Sequence, residues 1–218
     1  MQRKLNGVMF VLVAATCAEG ARADLVDAFT TGSSVSGTLF ASTGQVAVTG
    51  GLFDRRQVEI STYLNNPRMK SVDIAGGALS YTVTVASPWA YAVTSWSLSN
   101  GRTVDMSRLT SFSFDYSMSA GSVYYDLTVA TASGSGFVFS PTAIAGSGTV
   151  QISLQDLGAQ GFQLSAVDRI IFSLRQFSGA ATDVAVTNFS ANGVAIPAAG
   201  TYALVGLAGI AGRPRRAR

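Results

Sequence analysis

Histidine is absent from this sequence of 218 residues. That excludes Ser-His-Asp triads, Cys-His pairs, histidine metal sites and histidine acid–base catalysis together. Cysteine occurs once, at Cys17, so the body of the chain has neither a disulfide nor thiol chemistry. Charged residues make up only 12% and prolines number 5, against 23 glycines and 48% hydrophobic residues. Such a chain can bury a core and is not disordered. Its Gly-, Ser- and Thr-rich mixture suits many short strands joined by turns.

Basic charge is also missing from the middle. The whole chain carries a formal +3, but residues 24–195 hold 8 basic and 11 acidic residues, a formal −3. The excess lies at the ends, in Arg3, Lys4 and Arg22 and in Arg213, Arg215, Arg216 and Arg218. No basic patch on the body is legible, which argues against a nucleic-acid partner. With histidine and cysteine gone, acid pairs are the remaining catalytic option. Glu59 and the body's ten aspartates show no glycosidase signature in their spacing, and the expectation is a protein that is not an enzyme.

The first residues read as an export leader. Arg3 and Lys4 form a positive region, Val8 to Ala15 an apolar one, and Ala21-Arg22-Ala23 a cleavage signal. Cleavage between Ala23 and Asp24 is predicted, after passage through the export machinery. At the other end, Pro197-Ala198-Ala199-Gly200 precedes an apolar, glycine-rich stretch from Tyr202 to Gly212, and four arginines follow. An apolar run enters a bilayer readily, while arginines resist translocation. That predicts a C-terminal hydrophobic helix with transient residence in the inner membrane.

This three-part tail resembles the PEP-CTERM sorting signal, with Ile196-Pro197-Ala198-Ala199 where Val-Pro-Glu-Pro would stand. The resemblance covers residues 195–218. It implies processing by an exosortase-like sorting enzyme and a surface or extracellular location in a bacterium that makes exopolysaccharide, which becomes a candidate partner. The stretch Gly50 to Ile60 and the segment Asp183 to Gly193 are similar to parts of the jelly-roll bodies that accompany such tails.

Between the ends, apolar and polar residues alternate with period two. Phe112, Phe114, Tyr116 and Met118 fall on one side of a strand, and Val123, Tyr125, Leu127 and Val129 on one side of the next. About ten such strands predict one all-β domain over 24–195, an antiparallel two-sheet sandwich, with a jelly roll first and another sandwich topology second. A short turn of helix is expected before the strand in LSAVDRIIF.

Two functions follow: a structural surface protein associated with exopolysaccharide, or a carbohydrate-binding module in the same place. Aromatic rings on a sheet face can stack on sugars, and Trp89, Tyr91 and Tyr124 are candidates, whereas Trp96 reads as core. The segments 111–118 and 123–130 are expected to form a hairpin through Ser119 to Ser122. That register sets Asp115 opposite Asp126, with Tyr124 beside them. Opposed carboxylates repel, so the pair calls for open water, a cation such as structural calcium, or an arginine from a neighbouring strand. No other cofactor is expected.

Overall fold

In the computed structural model, the described residues are 23–62, 69–84, 90–154, 157, 163–177, 181–193 and 196–197. They form fifteen strands: β1 (Ala23–Leu25), β2 (Ser33–Gly37), β3 (Ala41–Ala47), β4 (Arg55–Thr62), β5 (Lys70–Ala75), β6 (Ala78–Val83), β7 (Ala90–Ser97), β8 (Val104–Asp105), β9 (Leu109–Ala120), β10 (Tyr124–Thr131), β11 (Gly134–Phe139), β12 (Ser147–Ser153), β13 (Val167–Gln176), β14 (Thr182–Gly193) and β15 (Ile196–Pro197). A single 3-10 turn at Leu164–Ala166 precedes β13, where a helical turn was expected.

Two antiparallel sheets result. One runs β12-β9-β14-β6-β5-β2, with β1 added beside β14; the other runs β11-β10-β13-β7-β4-β3, with β8 and β15 added beside β13. The two orders match strand for strand: β2 with β3, β5 with β4, β6 with β7, β14 with β13, β9 with β10, β12 with β11. The chain therefore winds repeatedly from sheet to sheet, as jelly-roll sandwiches do.

Alternation drives this arrangement, because each strand has one apolar side to hide. Val58 and Ile60 of β4, Ala92 and Trp96 of β7, and Ile170, Phe172 and Leu174 of β13 are buried on one side of the core. Leu79 and Tyr81 of β6, Phe112 and Phe114 of β9, and Val184 and Val186 of β14 meet them from the other. Interleaved inner faces of this kind make the core of a sandwich.

The predicted hairpin is not formed. β9 pairs with β12 and β14, whereas β10 pairs with β11 and β13 in the opposite sheet. The physical reason is that both segments have an apolar side, and stacking those sides face to face buries both. Phe114 accordingly meets Tyr125 across the core, edge-on at 5.4 Å between ring centres. The link between them turns at Gly121, whose φ is +76°. A Cβ there would lie 2.5 Å from Thr182 Oγ1 and 2.6 Å from the Ala181 carbonyl oxygen, so only glycine fits.

The loop before β4 is pinned in a similar way. Leu52 N donates to the Leu25 carbonyl at 2.9 Å, and a Cβ on Gly51 would lie 2.3 Å from the Val26 carbonyl oxygen. Gly51 thus serves close backbone approach, and Gly50 supplies a left-handed φ of +82°.

Strand pairing begins at Ala23, opposite Asn192, and ends at Pro197, opposite Val104. The predicted cleavage point falls within β1. Pro197 belongs to a two-residue strand, whereas Ala198, Ala199, Gly200, the apolar stretch and Arg213, Arg215, Arg216 and Arg218 lie outside the described residues. Among the described residues no helix is long and apolar enough to cross a membrane.

Candidate functional site

The outward side of the eight-stranded sheet gathers aromatic and charged groups from strands far apart in sequence. Alternation that turns Tyr125, Leu127 and Val129 of β10 inward turns Tyr124, Asp126 and Thr128 outward. On β13 the same rule exposes Arg169, Ile171, Ser173 and Arg175, and on β7 it exposes Tyr91, Val93, Ser95 and Ser97. Register then fixes the neighbours. Tyr124 stands opposite Arg175, and Arg175 opposite Tyr91. One step along, Phe139 of β11 stands opposite Asp126, and Asp126 opposite Ser173.

Arg175 is the hub. Its guanidinium forms a charge-assisted bond and ion pair with Asp126. It also lies 5.0 Å from the Phe139 ring centre and 6.0 Å from that of Tyr91, within cation–π range. Tyr124 stacks nearly parallel to Phe139, with centres 5.9 Å apart, and meets Phe177 at 5.0 Å. Phe137 and Phe139 remain 59% and 40% exposed, so this end of the face is open to solvent.

Asp126 itself is only 6% exposed. Burial pushes its carboxyl above the ordinary range, although the Arg175 hydrogen bond and charge pull the other way. Its Oδ1 has no hydrogen-bond partner, so half of this carboxylate is left over for a donor once a neighbour moves.

Asp115 sits elsewhere. It points outward from β9 on the seven-stranded sheet, where Asn188 Nδ2 donates to it at 2.7 Å and Thr149 Oγ1 at 2.6 Å. Those two hydrogen bonds hold its carboxyl below the usual range. Asp115 and Asp126 therefore occupy outer faces of opposite sheets, and the expected carboxylate pair does not exist. The reason is the sheet assignment of β9 and β10 given above. The motive for structural calcium goes with the pair, and among the described residues no three metal-ligating side chains come together. Of the three answers to a carboxylate on this face, an arginine from a neighbouring strand is the one found at Asp126.

Tyr124 lies beside Asp126 as predicted, and Tyr91 joins them, while Trp96 is fully buried. Trp89 lies outside the described residues. Arg175, Phe139 and Phe177 carry no sequence signal for this site, and the place of the first two depends on pairing across strands.

Two clefts lie away from this face. One of about 370 Å³ is lined by Gly50, Phe53, Asp54, Leu98, Arg102 and Thr103, among others. Its carboxylate is occupied: Ser99 donates to Asp54 through its backbone N and its Oγ, each at 2.7 Å, and Arg102 completes an ion pair. Burial would raise the Asp54 carboxyl, but the two Ser99 bonds and the charges of Arg102 and Arg55 together hold it low. The other cleft, of about 390 Å³, is lined by Ser107, Leu109, Thr110, Ser153, Leu154 and Leu164, none of them titratable, among the described residues.

No protein-family model and no curated protein matches the sequence. Solved structures do resemble it in fold. A family 11 carbohydrate-binding module of a cellulosomal cellulase of Clostridium thermocellum is 15% identical, with a TM-score of 0.46 over 80% of this chain and 96% of that one. A family 12 xyloglucanase from Bacillus licheniformis is 10% identical, with a TM-score of 0.47 over 73% of this chain and 98% of that one. A family 30 carbohydrate-binding module is 15% identical, with a TM-score of 0.42 over 76% and 97%. Binding modules and a hydrolase alike resemble the sandwich, and the likeness is one of fold alone.

Proposed function

We propose that this chain is an exported carbohydrate-binding protein whose ligand lies across the outer face of the eight-stranded sheet. The observation that carries this reading is the grouping of Tyr91, Tyr124 and Phe139 around Arg175 on four adjacent strands. Aromatic faces offer apolar area to the C–H faces of sugar rings, and the fixed polar groups between them accept and donate hydrogen bonds to hydroxyls. Rigid rings on paired strands lose little entropy when a ligand arrives.

The face is built to bind and not to cleave. Among the described residues, the acids at its regularly paired outward positions are Asp126 and Glu59, which share one row across the strands β10, β13, β7 and β4. Three strand spacings separate them, about 14 Å. Retaining and inverting glycosidases hold their carboxyl groups about 5.5 and 6.5–9.5 Å apart.

Affinity electrophoresis against a panel of neutral and acidic polysaccharides tests the platform. At least one polymer should retard the protein. Tyr91→Ala and Phe139→Ala should each weaken retention by roughly tenfold, the effect of losing a central aromatic anchor. Retention unchanged by both substitutions would move the site elsewhere. No retention by any polymer would leave the structural surface role in its place.

Export rests on the leader and on the tail that resembles a sorting signal. The released protein is expected to begin at Asp24 and to have passed through an exosortase-like enzyme near Pro197. Intact-mass measurement of the secreted or surface form checks this, and a dominant species that still carries Met1 would contradict it.

A further inference from the structure

We infer that the polymer held on this face is an anionic polysaccharide bearing carboxylates, an assignment that rests on the platform reading above. The strands sort their charges by face. On the outer side of the eight-stranded sheet, Arg55 of β4 and Arg169 of β13 both stand opposite Ser97 of β7, one on each side of it. Their Cα atoms are thus about 10 Å apart. Arg175 follows six residues along β13, about 20 Å from Arg169. Arg175 is offset by an acid of this face, and Arg55 lies near Asp54, whose carboxylate Ser99 and Arg102 already hold, so Arg55 and Arg169 are the cations that remain for a ligand. Asp126 is taken up by Arg175, and Glu59 accepts a hydrogen bond from Gln57 at 2.6 Å. Arg169 is exposed, and no carboxylate among the described residues pairs with it.

The other outer face is the reverse. Asp73 of β5, Asp115 of β9 and Asp183 of β14 point outward from the seven-stranded sheet, and no lysine or arginine does so among the described residues of its strands. Lys70, the basic residue of those strands, turns inward and is buried, donating from Nζ to the Thr38 carbonyl at 2.7 Å. A body with an excess of acid has therefore placed three of its four described strand arginines on the face that carries the aromatic cluster, the fourth being the buried Arg56. Arginine's planar fork matches a carboxylate in bidentate fashion. A sugar ring stacked at Tyr91 and Phe139 can continue toward Arg55 and Arg169, where its carboxylates are met. A neutral polymer gains nothing from those two side chains.

The test uses the full chain with polygalacturonate as the anionic probe and a mixed-linkage glucan as the neutral one. Polygalacturonate should bind more tightly, and its affinity should fall as salt rises, because exposed charges are screened. The double variant Arg55→Gln with Arg169→Gln should weaken polygalacturonate binding by roughly tenfold and leave the glucan unaffected. Glu59→Gln should tighten polygalacturonate binding, a gain that misfolding cannot imitate. Preference for the glucan, insensitive to salt, overturns the anionic assignment and leaves the platform standing. Absence of binding to either probe and to the wider panel removes both readings. Retention of single-stranded DNA as strong as that of polygalacturonate overturns it as well, since the face would then select charge and not sugar.

Discussion

Asp27→Ala is expected to cost about 3–5 kcal/mol of stability, the loss typical of breaking one side of a buried ion pair. Asp27 and Arg56 are 2% and 1% exposed, and Arg56 Nη1 meets Asp27 Oδ2 at 2.6 Å. The same carboxylate accepts from Trp96 Nε1 at 2.8 Å and from the Phe29 backbone N at 2.7 Å. Truncation would leave a buried guanidinium and two buried N–H donors unmatched at once. Phe29 adds to the loss, because its φ of +52° is a left-handed conformation that a bulky residue adopts only when its surroundings hold it there. The pair also joins the two sheets. Asp27 follows β1 on one side, Arg56 and Trp96 belong to β4 and β7 on the other, and Arg56 Nη2 reaches back to the Thr31 carbonyl and to Ser33 Oγ at 3.1 Å. Urea unfolding of the variant measures the cost. Joint replacement, Asp27→Ala with Arg56→Met, should recover part of it, since no orphan charge then remains. A single-variant loss below about 1 kcal/mol would mean that water solvates Arg56 and that the tie between the sheets lies elsewhere.

Neither Asp27 nor the burial of Arg56 could be read from the sequence, and the reason is general to sandwiches. Alternation reports which side of a strand is apolar, not which strand lies beside it. β4, β7, β9, β10 and β13 are legible as strands, and for β9 and β10 alternation also identifies the inward side, with Phe112 and Phe114 and with Leu127 and Val129 buried as expected. β2 is not legible, since Ser33–Gly37 offers a single buried residue, Val35, and β8 has only two residues. Pairing was the real blind spot. Alternation turns Asp115 and Asp126 outward, as the structure does, but a hairpin would set them on one sheet where the chain puts them on two. The candidate site suffered likewise: Arg175 could be seen as outward on β13, but its position opposite Tyr124, far back in the chain, depends on tertiary register. On β11, Gly136 and Val138 turn inward and the larger Phe137 and Phe139 outward, against the usual preference of aromatic residues for the core. That inversion is intelligible only once Asp126 and Arg175 are known to lie beside Phe139. Net charge is silent in the same manner, since a formal −3 for the body does not reveal that three of the four described strand arginines share one outer face.

Phe189→Ala is expected to lower stability by about 3–5 kcal/mol as well, through a different cause, the cavity left when a buried aromatic ring is removed. Phe189 is fully buried on β14, the strand next to the middle of its sheet. Its ring centre lies 5.1 Å from Trp96, 5.3 Å from Phe172, 6.1 Å from Phe112 and 6.3 Å from Phe114. Trp96 and Phe172 come from the facing sheet, so the ring spans the seam between the layers. It reaches that place by a local irregularity. The register of β14 against β9 shifts between Thr187 and Ser190, and Asn188 takes a φ of +53°, a conformation that asparagine tolerates better than most residues. The extra residue of this bulge allows Thr187 and Ser190 to face outward while Phe189 turns in. Four large neighbours held by two sheets cannot collapse into the vacated volume, which sets the expectation at the high end for a core truncation. Phe189→Leu should cost clearly less, because most of the volume is retained. Polysaccharide retention by folded Phe189→Ala protein should remain close to that of the parent chain, since Tyr91, Phe139 and Arg175 lie on the far side of β7, β11 and β13. A melting temperature unchanged in Phe189→Ala would show that the bulge does not deliver this ring to the core. Stability retained while sugar retention is lost would tie Phe189 to the platform, against the separation of core and binding face argued for this sandwich.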